Sequence, residues 1–318
     1  MEKIHRLSGS ELARKIRNKE ISSLDAVEHF IARIESFDPD LNAVVVRDFD
    51  RARDAAKNAD KAIAENALPD GKPLGPLHGV PMTIKDAFEI DGLTCDVGVP
   101  NFQGHVSTSN ARVVQKLQQA GAIFIGKTNT PEFGAGSHTF NPLFGVTRNP
   151  FDPQKTAGGS SGGAAAALAS GMVALADGSD MGGSLRNPAA FCNIVGLRPS
   201  MGRIPTIPKT QETFSRMAVE GPMARTVEDC AMMLRVMAGA DKRDPRSLDM
   251  GALNTSPTLT DAPENLRLAW APNPAGLPIE PAVSSVLGAA LLDMQHLYPA
   301  IEEIDLSELK GAMEIFNV

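Results

Sequence analysis

Thr156 to Arg186 reads TAGGSSGGAAAALASGMVALADGSDMGGSLR and holds two glycine-flanked serines, Ser160 and Ser184. Glycine at this density serves where backbone takes a positive φ or lies close against another group. Gly158-Gly159-Ser160-Ser161-Gly162-Gly163, followed by four alanines, reads as a turn opening an alanine helix. The start of such a helix directs free N–H groups and positive partial charge toward the turn. Asp180-Met181-Gly182-Gly183-Ser184 places consecutive backbone amides just before a serine. Amides so placed can hold a developing oxyanion, each worth about 3 kcal/mol in a transition state. The plain alternative for both segments is a tight turn packed for shape alone, and for the first also a phosphate cradle.

Outward from this stretch, strands and helices alternate. Leu68–Pro76 is a Pro/Gly loop leading into an apolar strand, Gly79 to Ile84, that ends at Lys85. A helix over 110–120 and a strand over 122–125 follow. Toward the N-terminus, Ser8-Gly9-Ser10-Glu11 fits a capping box opening a helix to about Asn18. A second helix runs from Ser22 or Ser23 to Phe37 on the stripe Ala26, Phe30, Ile31, Ile34. A strand at 42–47 and a charged, alanine-rich outer helix at 50–66 come next. Downstream, a capped helix is expected at 226–238, a strand at 267–271 and a helix at 280–297. Leu306 to Val318 reads as a helix still in progress at the last residue, as a fragment would show. The alternation predicts an α/β fold around a mostly buried sheet.

Serine is a weak nucleophile near neutral pH and needs a base. None of the six histidines stands in a local context that marks it as one. Lysine can serve if burial keeps its amine neutral. A lone lysine at a strand end is ordinarily a solvated charge. Lys85, however, ends a strand carrying Val80, Met82 and Ile84, and the two serine segments favour an interior placement.

The 318 residues suit one large domain or two modest ones. A formal net charge of −7 with no basic block argues against a nucleic-acid or anionic-membrane surface. No apolar leader or 20-residue apolar span is visible, so a cytoplasmic location is expected. Cys95, Cys192 and Cys230 have no metal-ligand spacing and read as buried thiols.

GVPMTIKD, GKTNTPEF, TAGGSSGGAAAALASG, GSDMGGSLRNPAAFCNIVGLRPSMGRIP and EGPMARTVEDCA together resemble the amidase signature family, over about Ser8 to Ala240. The resemblance implies a central mixed β-sheet covered by helices on both faces. It implies a Ser–cisSer–Lys triad: Ser184 as nucleophile, Ser160 as the bridging serine after a cis peptide bond, and Lys85 as general base. It also implies an oxyanion hole from the N–H groups of Met181, Gly182, Gly183 and Ser184, with Ser161, Asp180 and Arg186 in support. An ion pair of Arg186 with Asp180 is expected, in preference to a substrate contact. The implied activity is hydrolysis of a small-molecule carboxylic amide through an acyl-enzyme, without metal or organic cofactor; a homodimer is allowed. Family members are usually longer. The expected layout, an N-terminal helical layer over 1–70 and a core over 71–318 in a single domain, would then lack a C-terminal part. The family's transamidase subunit works with a second protein on charged tRNA. The acidic balance and the Ser184-Leu185-Arg186-Asn187-Pro188 sequence favour a stand-alone amidase.

Three rival readings stand beside this one. Gly121 to Thr128 matches Gly-x4-Gly-Lys-Thr, but its apolar middle predicts a strand, and the family resemblance implies that Gly-Lys-Thr-Asn is a structural turn. Gly159 to Gly163 fits a nucleophile elbow around Ser161, yet only His296 follows it, within a predicted helix. An inactive or binding scaffold that keeps the glycine turns for packing is the third.

Overall fold

A computed structural model of the chain describes residues 3–66, 68, 70–207, 217–249, 266–298, 300–312 and 314. It divides into two compact units, Met1–Pro257 and Thr258–Val318.

The first unit opens with α1 (Gly9–Arg17), capped as its sequence predicts: Ser8 accepts from the Glu11 amide, and Glu11 accepts from the Ser8 amide. The buried carboxylate of Asp229 adds a second cap, accepting the Gly9 and Ser10 amides at 2.7 and 2.8 Å. Next is α2 (Ser23–Leu41), which buries Ala26, Phe30, Ile31 and Ile34. It continues one turn beyond the expected stop, through Pro39, and ends at Asn42 in the left-handed conformation. Asp38, in that last turn, accepts the Ala43 and Val44 amides and so joins the helix to β1 (Val44–Arg47). The charged helix α3 (Phe49–Glu65) is amphipathic rather than wholly solvated, and buries Ala52, Ala56, Ala59, Ala62 and Ile63.

Then come β2 (Pro81–Lys85), α4 (Arg112–Gln119) and β3 (Ile123–Thr128). The Gly-Lys-Thr of the rival motif lies inside β3 rather than in the turn expected of it. Lys127 is buried there in an ion pair with Asp86 at 2.6 Å. A small hairpin, β4 (Phe140–Asn141) and β5 (Gly145–Val146), precedes α5 (Gly162–Ala169). The unit continues through β6 (Leu175–Asp180), α6 (Arg186–Phe191), β7 (Val195–Gly196), β8 (Val219–Ala224) and α7 (Val227–Met237).

Among the described residues, six strands form one mixed sheet in the order β1-β3-β2-β6-β8-β7. The pairs β3–β2 and β2–β6 are parallel; β1–β3, β6–β8 and β8–β7 are antiparallel. The alanine helix α5 is buried from Gly162 to Leu168 and packs against β1, β2, β3, β6 and β8. An all-apolar helix with no polar side belongs in a core. Its approach to the chain is close: a Cβ on Gly163 would lie 2.5 Å from the Asn129 backbone nitrogen.

The second unit contains β9 (Leu268–Trp270), α8 (Pro281–Leu297) and β10 (Ile301–Glu303), with β9 and β10 parallel. Val286, Leu292 and Leu297 of α8 are exposed. Of the helix expected over 306–318, the described residues form a short turn at Ser307–Leu309 and are helical at 312 and 314, while residues 313 and 315–318 lie outside the described residues. No described helix is long and apolar enough to cross a membrane.

Candidate active site

β2 sits between β3 and β6, so its last residue is delivered to the middle of the sheet. That residue is Lys85, fully buried. Its Nζ lies 2.7 Å from Ser160 Oγ, 3.0 Å from Ser161 Oγ and 3.0 Å from Ser179 Oγ. Burial drives its pKa down to about 7, against the opposing pull of Asp177 and Asp180. A charged ammonium has three donors and no acceptor, whereas a neutral amine offers two donors and one lone pair. Three hydroxyls therefore suit the neutral form if one of them donates. Ser161 Oγ has another acceptor for its hydrogen in the Ser179 carbonyl, 3.4 Å away. Ser160 makes the shortest contact.

Ser160 and Ser161 stand at the head of α5. The Gly159–Ser160 peptide bond is cis. Thr139 braces this turn: its Oγ1 donates to the Gly158 carbonyl and accepts the Gly162 amide. The Ser161 amide donates to the Ser184 carbonyl at 3.2 Å, which ties the two serine segments together. Ser184 is half-buried and its hydroxyl has no hydrogen bond among the described residues.

The loop before Ser184 is arranged around Asp180, whose side chain is fully buried. Its Oδ1 accepts from the Gly183 amide at 2.8 Å, and its Oδ2 from the Leu185 amide at 3.2 Å. Arg186 and Arg198 add bonds of 3.0 and 2.9 Å. Burial alone would raise the pKa of this carboxyl, but the Arg186 guanidinium and the two amides outweigh it and hold it at about 2. The expected Arg186–Asp180 pair is present, with Arg186 half-exposed. Gly183 takes φ +121°, which β-carbon-bearing residues rarely adopt, and so turns the loop toward Asp180. Its amide is thereby committed to Asp180. The amides of Met181, Gly182 and Ser184 have no acceptor among the described residues.

Lys85, Ser160, Ser161 and the Asp180–Ser184 loop, far apart in sequence, thus share one site. Sequence reasoning missed four groups here: Ser179 on Lys85, Arg198 on Asp180, Thr139 under the first turn, and Asp177, which accepts the Lys85 amide. Ser179 and Asp177 alternate with Gly178 on β6, but without that strand assigned the alternation carried no signal. Arg198 lies in the quoted GLRPS segment with nothing to mark it. Cys95, Cys192 and Cys230 are free and buried. No cluster of three or more metal-ligating side chains occurs among the described residues.

The sequence model described as Amidase matches residues 25–318. The chain is similar to an acylamidase of Rhodococcus erythropolis, 40% identical across 94% of this chain and 62% of the relative. It is also similar to a glutamyl-tRNA(Gln) amidotransferase subunit of Methylococcus capsulatus, 36% identical across 99% of this chain and 64% of the relative. Among solved structures, a bacterial aryl acylamidase of the amidase signature family superposes with a TM-score of 0.82. It is 33% identical, over 95% of this chain and 61% of that one. The chain therefore spans a little under two thirds of the length of these relatives.

Proposed function

The chain belongs to the amidase signature family, and from that premise we propose that it hydrolyses a carboxylic amide to an acid and an amine or ammonia through an acyl-enzyme on Ser184. One observation carries the reading. A fully buried lysine, held near neutral by its surroundings, lies 2.7 Å from the hydroxyl of Ser160.

On this reading Ser184 Oγ attacks the amide carbon. Its proton passes to Ser160 Oγ as Ser160 gives its own to the Lys85 lone pair. The carbonyl π electrons move onto oxygen, where the Met181, Gly182 and Ser184 amides hold the charge. The C–N bond then breaks and the proton returns by the same relay to the leaving nitrogen. Water attacks the resulting ester in a second round and releases the acid. Ser161 and Ser179 occupy the remaining Lys85 donors. Asp180, with Arg186 and Arg198, fixes the donor loop.

The test is fluorophosphonate labelling, with the modified residue located by peptide mass spectrometry. Label is expected on Ser184, abolished in Ser184→Ala and strongly reduced near neutral pH in Lys85→Ala. Ser160→Ala should slow labelling without abolishing substrate binding. Label on Ser161 would move the nucleophile to the elbow reading, and full labelling in Lys85→Ala would remove the lysine base.

The 36% identity to an amidotransferase component, over nearly the whole chain, supports a second reading. Here the same acyl chemistry would release ammonia from an amide donor for a partner protein. Turnover of simple aryl or alkyl amides by the chain alone favours the first reading; ammonia release that depends on an added partner favours the second.

A further inference from the structure

Asp177 is fully buried on β6. Its Oδ1 accepts the Lys85 backbone amide at 2.7 Å, while its Oδ2 has no partner. The β2–β6 backbone ladder is registered at Met82↔Leu175 and Thr83↔Ala176. The carboxyl therefore continues the pairing two residues further along β2, at the lysine. A strand amide in that place needs only a neutral acceptor. Burying a carboxyl there, with one oxygen unsatisfied, is costly, and so calls for a role beyond closing a ladder.

We propose that Asp177 is a positioning residue for Lys85, holding its backbone in place and setting its proton affinity through the charge at position 177. The proposal rests on the reading of Lys85 as the base. Each group acts on the other: burial raises the Asp177 carboxyl to about 7, with Lys85 and Lys127 opposing. The charges around the pair are few. β2 supplies Lys85 and Asp86, and Lys127 of β3 is bonded to Asp86. β6 supplies Asp177 and Asp180, the latter bonded to Arg186 and Arg198. Glu220 of β8 is registered against Ser179. Of the two carboxyls that favour the Lys85 ammonium, Asp177 acts more strongly than Asp180; Asp180 is already ion-paired with Arg186 and Arg198, and Lys127 with Asp86.

The experiment is the rate of fluorophosphonate labelling of Ser184 from pH 5 to 9 in the wild type, Asp177→Asn and Asp177→Leu. Asp177→Asn keeps an acceptor for the Lys85 amide but removes the charge, so Lys85 holds its proton less tightly. Its acid limb should move about 1 pH unit lower, the small end of the effect of a nearby opposite charge. Asp177→Leu removes the anchor too and should label at least tenfold more slowly at every pH. An acid limb of Asp177→Asn at the wild-type position would overturn the proposal and leave Asp177 a packing group. Carbon-13 NMR of aspartate-labelled wild-type protein makes the test independent of variant folding and of activity. The Asp177 carboxyl signal should titrate within the window of the labelling limb, and a flat signal from pH 5 to 9 overturns the linkage. Absence of any Ser184 label in the wild type defeats the acyl-enzyme reading instead, and the NMR titration still reports on the pair.

Discussion

Replacing Lys85 with methionine should make the protein more tolerant of neutral pH while destroying its labelling. The lysine is fully buried, and its pKa falls from 10.5 to about 7 because burial disfavours the ammonium. At about 1.4 kcal/mol per pH unit, that fall corresponds to about 5 kcal/mol. Methionine fills a similar volume without the charge. It gives up three contacts to serine hydroxyls, worth about 1 kcal/mol each. The net gain at pH 7 is then about 1 to 2 kcal/mol. The slope is the sharper quantity. Between pH 7 and 10 the unfolded lysine keeps a proton that the folded lysine has lost. The unfolded state binds more protons, so wild-type stability rises with pH through this window. The Asp177 carboxyl, pushed up to about 7 by burial, lies at the lower edge of this window, below the three pH values of the test. Urea denaturation of both proteins at pH 7.5, 8.5 and 9.5 measures the difference. Wild type should gain on Lys85→Met by about 1.4 kcal/mol for each pH unit. Parallel stabilities across the three pH values would refute the idea that the lysine is held neutral by burial.

Three further outcomes are expected. Gly163→Ala places a methyl 2.5 Å from the Asn129 backbone and should cost about 1 to 3 kcal/mol in chemical denaturation, with slower labelling because Ser160 and Ser161 shift with the helix. Asp180→Asn weakens the hold of two arginines and two amides on the donor loop; kcat should fall at least tenfold with little change in KM, the pattern of an interaction made in the transition state. Asp229→Ala removes the side chain that caps α1 and should cost about 1 to 2 kcal/mol, raising hydrogen exchange in residues 3–17 while Ser184 labelling is unchanged.

Much of this was legible where local chemistry decides the structure. The capping box at Ser8, the apolar stripe of α2 and the run into Lys85 are each set by near neighbours in sequence. β6 and β8 escape such a reading. β6 carries Asp177, Gly178, Ser179 and Asp180, four residues poorly suited to strands, and β8 has Pro222 in its middle. Pro222 lies opposite Asp177, and its carbonyl accepts the Leu197 amide, so the strand is held by its partners rather than by its own propensity. The site divides in the same way. Lys85, Ser160 and Ser184 stand in long motifs, whereas Asp177, Ser179 and Arg198 reach it through strand register that no local pattern records. Gly183 was expected to face an oxyanion with its neighbours; only the Asp180 contact reveals its other engagement.

The alanine helix has an evolutionary consequence. No side chain longer than a methyl stands between Gly162 and Leu168, so α5 is gauged by main-chain contact with Asn129 and Ala43. Main-chain contact does not depend on rotamers, and the serines at the head of the helix inherit that indifference. Surface residues away from α5 could then vary without altering the 2.7 Å approach of Ser160 to Lys85. On the proposed function, a scaffold of this kind would let substrate preference diversify at little risk to the proposed proton relay.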